Sequence, residues 1–139
     1  MSTRINNCKE FALAGNATLT LQTDGATKHF TYNIKQCDDK PELYFVRLLS
    51  GSDNVEDYRY IGCYYSDTNY FHPCKQYVAI PKRSRPKSMQ MFTQFILNMD
   101  NIPDCMMVFH EGKCARCGRK LTTPESITTG FGPECRRRV

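Results

Sequence analysis

The sequence contains no tryptophan, so any aromatic core must come from its eight phenylalanines and eight tyrosines. It has no apolar run near the roughly 20 residues that a membrane-crossing helix needs, and this excludes a helical span within the 139 residues. The opening "MSTRINNCKEFALAGNA" lacks the basic-then-apolar layout of an export signal, and "FALA" is too short for its apolar centre. The expectation is a soluble, intracellular protein without a membrane partner. No glycine-rich phosphate loop and no nucleophile elbow is present, so the sequence assigns no catalytic residue and reads as non-enzymatic. There is no internal repeat and no long low-complexity tract. With 40% hydrophobic and 24% charged residues the composition is that of an ordinary globular chain. Its length suits one domain, or a main domain with a small metal-stabilised appendix.

Cysteine, by contrast, is plentiful, at eight residues. Without an export signal, a close C-x-x-C pair favours metal over disulfides. Cys8, Cys37, Cys63, Cys74 and Cys105 are scattered and read as reduced, partly buried thiols. The other three lie in the tail "KCARCGRKLTTPESITTGFGPEC" (113–135). Two residues between Cys114 and Cys117 let both thiolates reach one ion, and the glycine that follows can turn backbone amides toward sulfur. Pro133 suits the first position of a helix, which sets Cys135 in an opening turn where free amides and the helix dipole favour a thiolate. His110 is the expected fourth ligand, three residues before Cys114, with Cys105 as the alternative. A Cys3His set fits one structural Zn2+. Its net charge of minus one would be offset by Arg116, Arg119 and Lys120. A redox C-x-x-C needs a strand–motif–helix setting, whereas glycine and loop residues follow here.

The first half shows two period-two runs, "ATLTLQ" (17–22) and "HFTYNI" (29–34), separated by an Asp24-Gly25 turn signal, and these read as a hairpin. "ELYFVRLLS" (42–50) reads as a central strand and "DYRYIGCYY" (57–65) as an aromatic strand after the "GSDN" turn. The result is a four-stranded antiparallel meander with a further short strand at "QYVAI" (76–80). Met89, Phe92, Phe95, Ile96 and Met99 then form a helical stripe, with Ser88 as cap and Pro103 beyond its end. "CMMVF" (105–109) is a buried strand leading into the tail. In "LTTPESITTG", Thr123 caps, Pro124 begins and Gly130 ends a short helix. The expected fold is α+β: an antiparallel meander with one packed helix over residues 1–104, and a treble-clef-like zinc module over residues 105–139.

The net charge of +5 is unevenly placed. From Lys113 onward seven basic residues (Lys113, Arg116, Arg119, Lys120, Arg136, Arg137, Arg138) meet only Glu125 and Glu134. A second basic run, "PKRSRPK", carries Lys82, Arg83, Arg85 and Lys87. Such asymmetry points to an anionic partner, although solvation of an ordinary surface accounts for it equally well. Tyr58, Tyr60, Tyr64, Tyr65 and Tyr70 either stack bases on an exposed face or supply the aromatic half of the core. Cys63, His72 and Cys74 are poorly spaced for a second metal site because Pro73 stiffens the link.

The tail pattern C-x-x-C-G-R-x-L-T-x-P-x-S-I-x-x-G-x-G-P-x-C, from Cys114 to Cys135, resembles that of a family of bacterial and bacteriophage proteins of unknown function. The resemblance covers about the last fifth of the chain. It implies zinc binding, a phage or mobile-element context in the cytoplasm of a bacterial host cell, and no catalytic residue. The leading expectation is therefore a non-enzymatic zinc-binding accessory protein. It would contact nucleic acid, or the machinery that handles it, through Arg116, Arg119, Lys120, Arg136, Arg137, Arg138, Lys82, Arg83 and Arg85. The alternatives are an inhibitor or adaptor directed at a host or phage protein, and a small metal-dependent hydrolase.

Overall fold

The computed structural model describes residues 3–23, 29–51, 57–121 and 124–132. Two residues, β1 (Thr3–Arg4), precede the short helix α1 (Cys8–Ala12). The alternating runs then form β2 (Asn16–Thr23) and β3 (His29–Gln36), followed by β4 (Leu43–Leu49), β5 (Tyr58–Tyr65) and β6 (Tyr70–Pro73). A helical turn α2 (Lys75–Val78), a 3-10 turn (Lys82–Ser84), α3 (Lys87–Leu97), β7 (Met106–His110) and α4 (Pro124–Thr129) follow among the described residues. All strands join one seven-stranded antiparallel sheet in the order β1-β7-β2-β3-β4-β5-β6. The fold is α+β. Among the described residues no helix is long and apolar enough to cross a membrane.

The cross-strand register defines the two faces, because directly opposed residues in antiparallel strands point the same way. His110, Leu19, Tyr32 and Leu48 form one such row. Phe11 of α1 stacks on His110, and Phe92 of α3 lies 4.9 Å from the Tyr32 ring, so both helices cover this face. Phe92 also meets Phe71 and Phe95, which makes it the hinge pin of the helix–sheet contact in a chain without tryptophan. Thr18, Asn33, Arg47 and Tyr60 form a row on the opposite face, and Lys35, Phe45, Cys63 and His72 form another.

Several sequence expectations change here. The sheet exceeds the four-stranded meander because β6 extends one edge while β7 and β1 extend the other. "QYVAI" is not a strand. The Cys74 carbonyl accepts the amides of Tyr77 and Val78 and closes a helical turn that buries Tyr77 and leaves Val78 exposed. The extra strand lies just before it, at Tyr70–Pro73. Ser88 does not cap α3, since the cap position is Pro86 and no side chain bonds there. Ser88 is instead buried in the first turn, and its carbonyl accepts the Tyr32 hydroxyl at 2.6 Å. The Asp24-Gly25 turn lies outside the described residues.

Truncating Phe92 to alanine is expected to cost about 3–5 kcal/mol of unfolding free energy, the usual range for a fully buried phenylalanine. Urea unfolding of the variant measures this, and a loss below about 1 kcal/mol would contradict the assigned role.

Candidate functional site

The tail begins where β7 ends. Leu121 donates its amide to the Gly112 carbonyl and Cys114 donates to Arg119, while Lys113 and Lys120 bridge as an isolated antiparallel pair, so residues 112–121 form a closed loop. Ala115 fastens this loop on both sides: its amide donates to Gly130 and its carbonyl accepts Asn16 at the start of β2. Leu121 and Phe131 are buried against the main core and Ile127 is partly buried, as their apolar character requires. Pro124 begins α4, and Gly130 follows its end at φ +80°. A β-carbon on Gly130 would lie 2.5 Å from the Phe11 ring, so glycine is needed there for both the backbone angle and the space.

The expected zinc centre is not formed by the described residues. Among them no group of three or more His, Cys, Asp or Glu side chains is arranged to hold a metal ion. This overturns the zinc-binding and zinc-finger expectation and the treble-clef-like module with one Zn2+, built on His110, Cys114, Cys117 and Cys135. The reason is clearest at His110. Its ring is fully buried, Nδ1 accepts the Gly112 amide at 2.9 Å, and Nε2 meets the Ile127 carbonyl. An amide can only donate and a carbonyl can only accept, so the ring is neutral with its proton on Nε2. Neither nitrogen has a lone pair left for a metal. Cys114 is buried, whereas Cys117 and the alternative ligand Cys105 are exposed. Cys135 lies outside the described residues. The Cys63, His72 and Cys74 group likewise forms no metal cluster.

Cys114 nevertheless has a distinct environment. Burial pushes its thiol up, but the amides of Gly132, Cys117 and Arg116 and the Cys117 side chain favour the thiolate more strongly and hold it down to about 7.

The basic residues divide into two groups. In the tail, Arg119 and Lys120 are exposed, while Arg116 is half-buried with Nη1 lacking a hydrogen-bond partner among the described residues. Arg136, Arg137 and Arg138 lie outside the described residues. A cavity of about 410 Å3 opens beside this loop, lined by Glu111, Lys113, Lys120, Leu121 and Ile127 among others.

The second group follows β6. From residue 68 to residue 99 the chain has no aspartate or glutamate but carries Lys75, Lys82, Arg83, Arg85 and Lys87. Lys82, Arg83 and Arg85 line a hollow of about 300 Å3 against Met89, Gln90, Thr93 and Gln94 of α3. The basic turn is fixed there. Arg85 Nε donates to the Tyr77 and Ile80 carbonyls, and Gln90 Nε2 donates to those of Arg83 and Arg85. The half-buried Arg85 is thereby tied to the turn itself. Lys82 and Arg83 are exposed.

The tyrosines are divided between the faces. Tyr64 is buried, whereas Tyr60 and Tyr70 are 45% and 53% exposed. Phe45, which nothing in the sequence singles out, and His72, weighed there only as a metal ligand, join Tyr60, Tyr65 and Tyr70 on the face away from the helices. The Tyr60 hydroxyl is pushed up to about 12, first by partial burial, then by the Cys63 and Cys74 thiols and the Tyr65 hydroxyl. Gln90, Thr93 and Gln94 were also missed, because their polar side of α3 reads simply as a solvated helix face.

A family model described as a family of unknown function (DUF6011) matches residues 108–139, which are similar to it over the tail alone. No curated protein and no solved structure matches the chain.

A folded value below the ordinary thiol value means that the Cys114 thiolate favours folding fully above about pH 9. That contribution is lost as pH falls through about 7. Thiolate absorbance at 240 nm should therefore show a step near pH 7 that Cys114→Ser removes. A first step near pH 9 would contradict the amide-stabilised thiolate.

Proposed function

We propose that the protein is a nucleic-acid-binding accessory protein that acts by association rather than catalysis. The observation that supports this reading most is the acid-free stretch from residue 68 to residue 99, whose turn holds Lys82, Arg83 and Arg85 around one hollow. Clustered cations without interspersed acids attract a polyanion. Each phosphate they neutralise releases condensed counterions, so binding is steeply salt-dependent and largely independent of sequence. Arg119 and Lys120 supply a second exposed basic patch on the tail loop. The exposed Lys82 and Arg83 offer charge to phosphate oxygens and the exposed Gln94 adds a neutral donor beside them, as positioning contacts to a nucleic-acid backbone do.

Fluorescence-anisotropy titration of a labelled oligonucleotide across a salt series tests this proposal. The expected result is binding at low salt, with Lys82→Gln combined with Arg83→Gln reducing both the affinity and the slope of log K against log salt, the slope by roughly 1 to 2. No binding at low salt, or an unchanged slope in the double variant, would remove the reading.

A further inference from the structure

A strand cation stands beside the basic turn. Arg59 of β5 lies directly opposite Leu48, in the row that continues through Tyr32, so it is on the helix-covered side of the sheet, where it is exposed. A β-bulge puts it there. Val46 faces Gly62 while Arg47 faces Tyr60, which leaves Ile61 as the extra residue of β5. Unbroken alternation from Gly62 would set Tyr60 on the helix side and Arg59 on the other, and the bulge exchanges them.

Arg59 Nη2 donates to the Tyr77 hydroxyl at 3.1 Å, and Arg85 Nε donates to the Tyr77 carbonyl at 3.0 Å. One buried tyrosine therefore links the strand cation to the turn whose Lys82, Arg83 and Arg85 line the hollow against α3. The exposed Lys75 belongs to the same helical turn as Tyr77. The acid nearest to Arg59 in sequence, Asp57, packs its carboxylate against Gly51 across the hairpin.

The rings decide which nucleic acid fits these cations. All eight phenylalanines and all eight tyrosines fall within the described residues. Those of the basic segment, Tyr77, Phe92 and Phe95, are 3%, 0% and 0% exposed. The exposed Phe45, Tyr60 and Tyr70 are on the other face of the sheet. Sequence-tolerant binding of a single strand combines charge with stacking of its bases on aromatic rings. On the helix-covered side the rings are spent on the core, and only charge and neutral donors are offered.

A duplex makes no demand for stacking. It carries about one charge per 1.7 Å of axis, twice the density of either strand alone. The slope of log K against log salt is about 0.9 per phosphate neutralised on a duplex and about 0.7 on a single strand, so charge by itself favours the double helix. Rigidity points the same way. Arg85 is bonded to its own turn, Gln90 bonds the carbonyls of Arg83 and Arg85, and Arg59 is held at Tyr77. Such a fixed array meets the stiff phosphate rows of a duplex without the entropic cost of ordering a flexible strand.

We infer that the helix-covered side carries a binding surface for double-stranded nucleic acid, on which Arg59, Lys75, Lys82 and Arg83 contact backbone phosphates and no base is stacked. The inference rests on the nucleic-acid reading above and narrows it to duplexes. It also brings in Arg59, which lies outside the acid-free run.

The test titrates a labelled 15-base-pair duplex and a 15-nucleotide oligothymidylate with the full chain across a salt series, read by fluorescence anisotropy. The duplex is expected to bind roughly tenfold more tightly at low salt and with the steeper slope. Arg59→Gln is expected to lower the duplex slope by about 1, whereas Arg59→Lys, which keeps the charge, retains it. Lys75→Gln repeats the slope measurement at an exposed position without touching the bond to Tyr77. Tyr60→Ala and Tyr70→Ala, on the other face, are expected to leave duplex affinity unchanged.

A single strand that binds as tightly as the duplex would overturn the inference and leave the wider reading standing. Duplex binding weakened by Tyr60→Ala or Tyr70→Ala would do the same, by moving the contact to the aromatic face. So would an unchanged slope in both Arg59→Gln and Lys75→Gln while the Lys82 and Arg83 effect persists. Absence of binding to both nucleic acids at low salt would remove both readings.

Discussion

The tail of this protein is held to its sheet by a buried, neutral histidine. His110 ends β7 in the row that continues through Leu19 and Tyr32, and its ring is stacked by Phe11 on the helix-covered face. One nitrogen accepts from Gly112 as the chain turns away from the sheet, and the other meets the carbonyl of Ile127 on α4. A single side chain thus joins a strand, a turn and a helix 17 residues further on. Phe131 meets Phe11 edge-on from the same side. Leaving either nitrogen unpaired in this setting would cost the full desolvation of a buried polar group, so the tautomer and the packing enforce one another.

That constraint leaves the two faces of the sheet with different tasks. The face under α1 and α3 takes the apolar side chains, while the other carries threonines, Asn33, Arg47 and half-exposed rings. Asn33 donates to Asn16, Ala17 and Thr18 and accepts from Arg47, so the polar centre of the outer face is satisfied internally. Its aromatic edge at β5 and β6 is left open. The acid-free segment leaves the sheet after β6 and sets its exposed cations against α3, on the helix-covered side. That uninterrupted run of cations supports a binding role more directly than the modest net charge does.

Much of the architecture is legible from local pattern. The alternation of Ala17, Leu19 and Leu21, the helical stripe through Met89, Phe92 and Phe95, and the Pro124 and Gly130 bounds of α4 all describe elements that form, because propensity and burial agree there. The faces of β5 are not legible. Strict alternation would put Tyr60 and Tyr64 on one side, and only the bulge at Ile61 separates them. Strands β1 and β6 are too short to show a period, and the partner of β7 is more than 80 positions away in sequence. The metal expectation failed for a related reason. Cysteine spacing is visible in a sequence, but the bonds made by His110 depend on a carbonyl contributed by a helix whose position only the folded chain defines.

A long-range 1H–15N correlation spectrum of the histidine side chains near neutral pH tests the central claim most directly. The account predicts that His110 shows a protonated Nε2 and an unprotonated Nδ1, with a ring proton protected from exchange, unlike the exposed His29 and His72. An imidazolium, or the Nδ1-protonated tautomer, would contradict it.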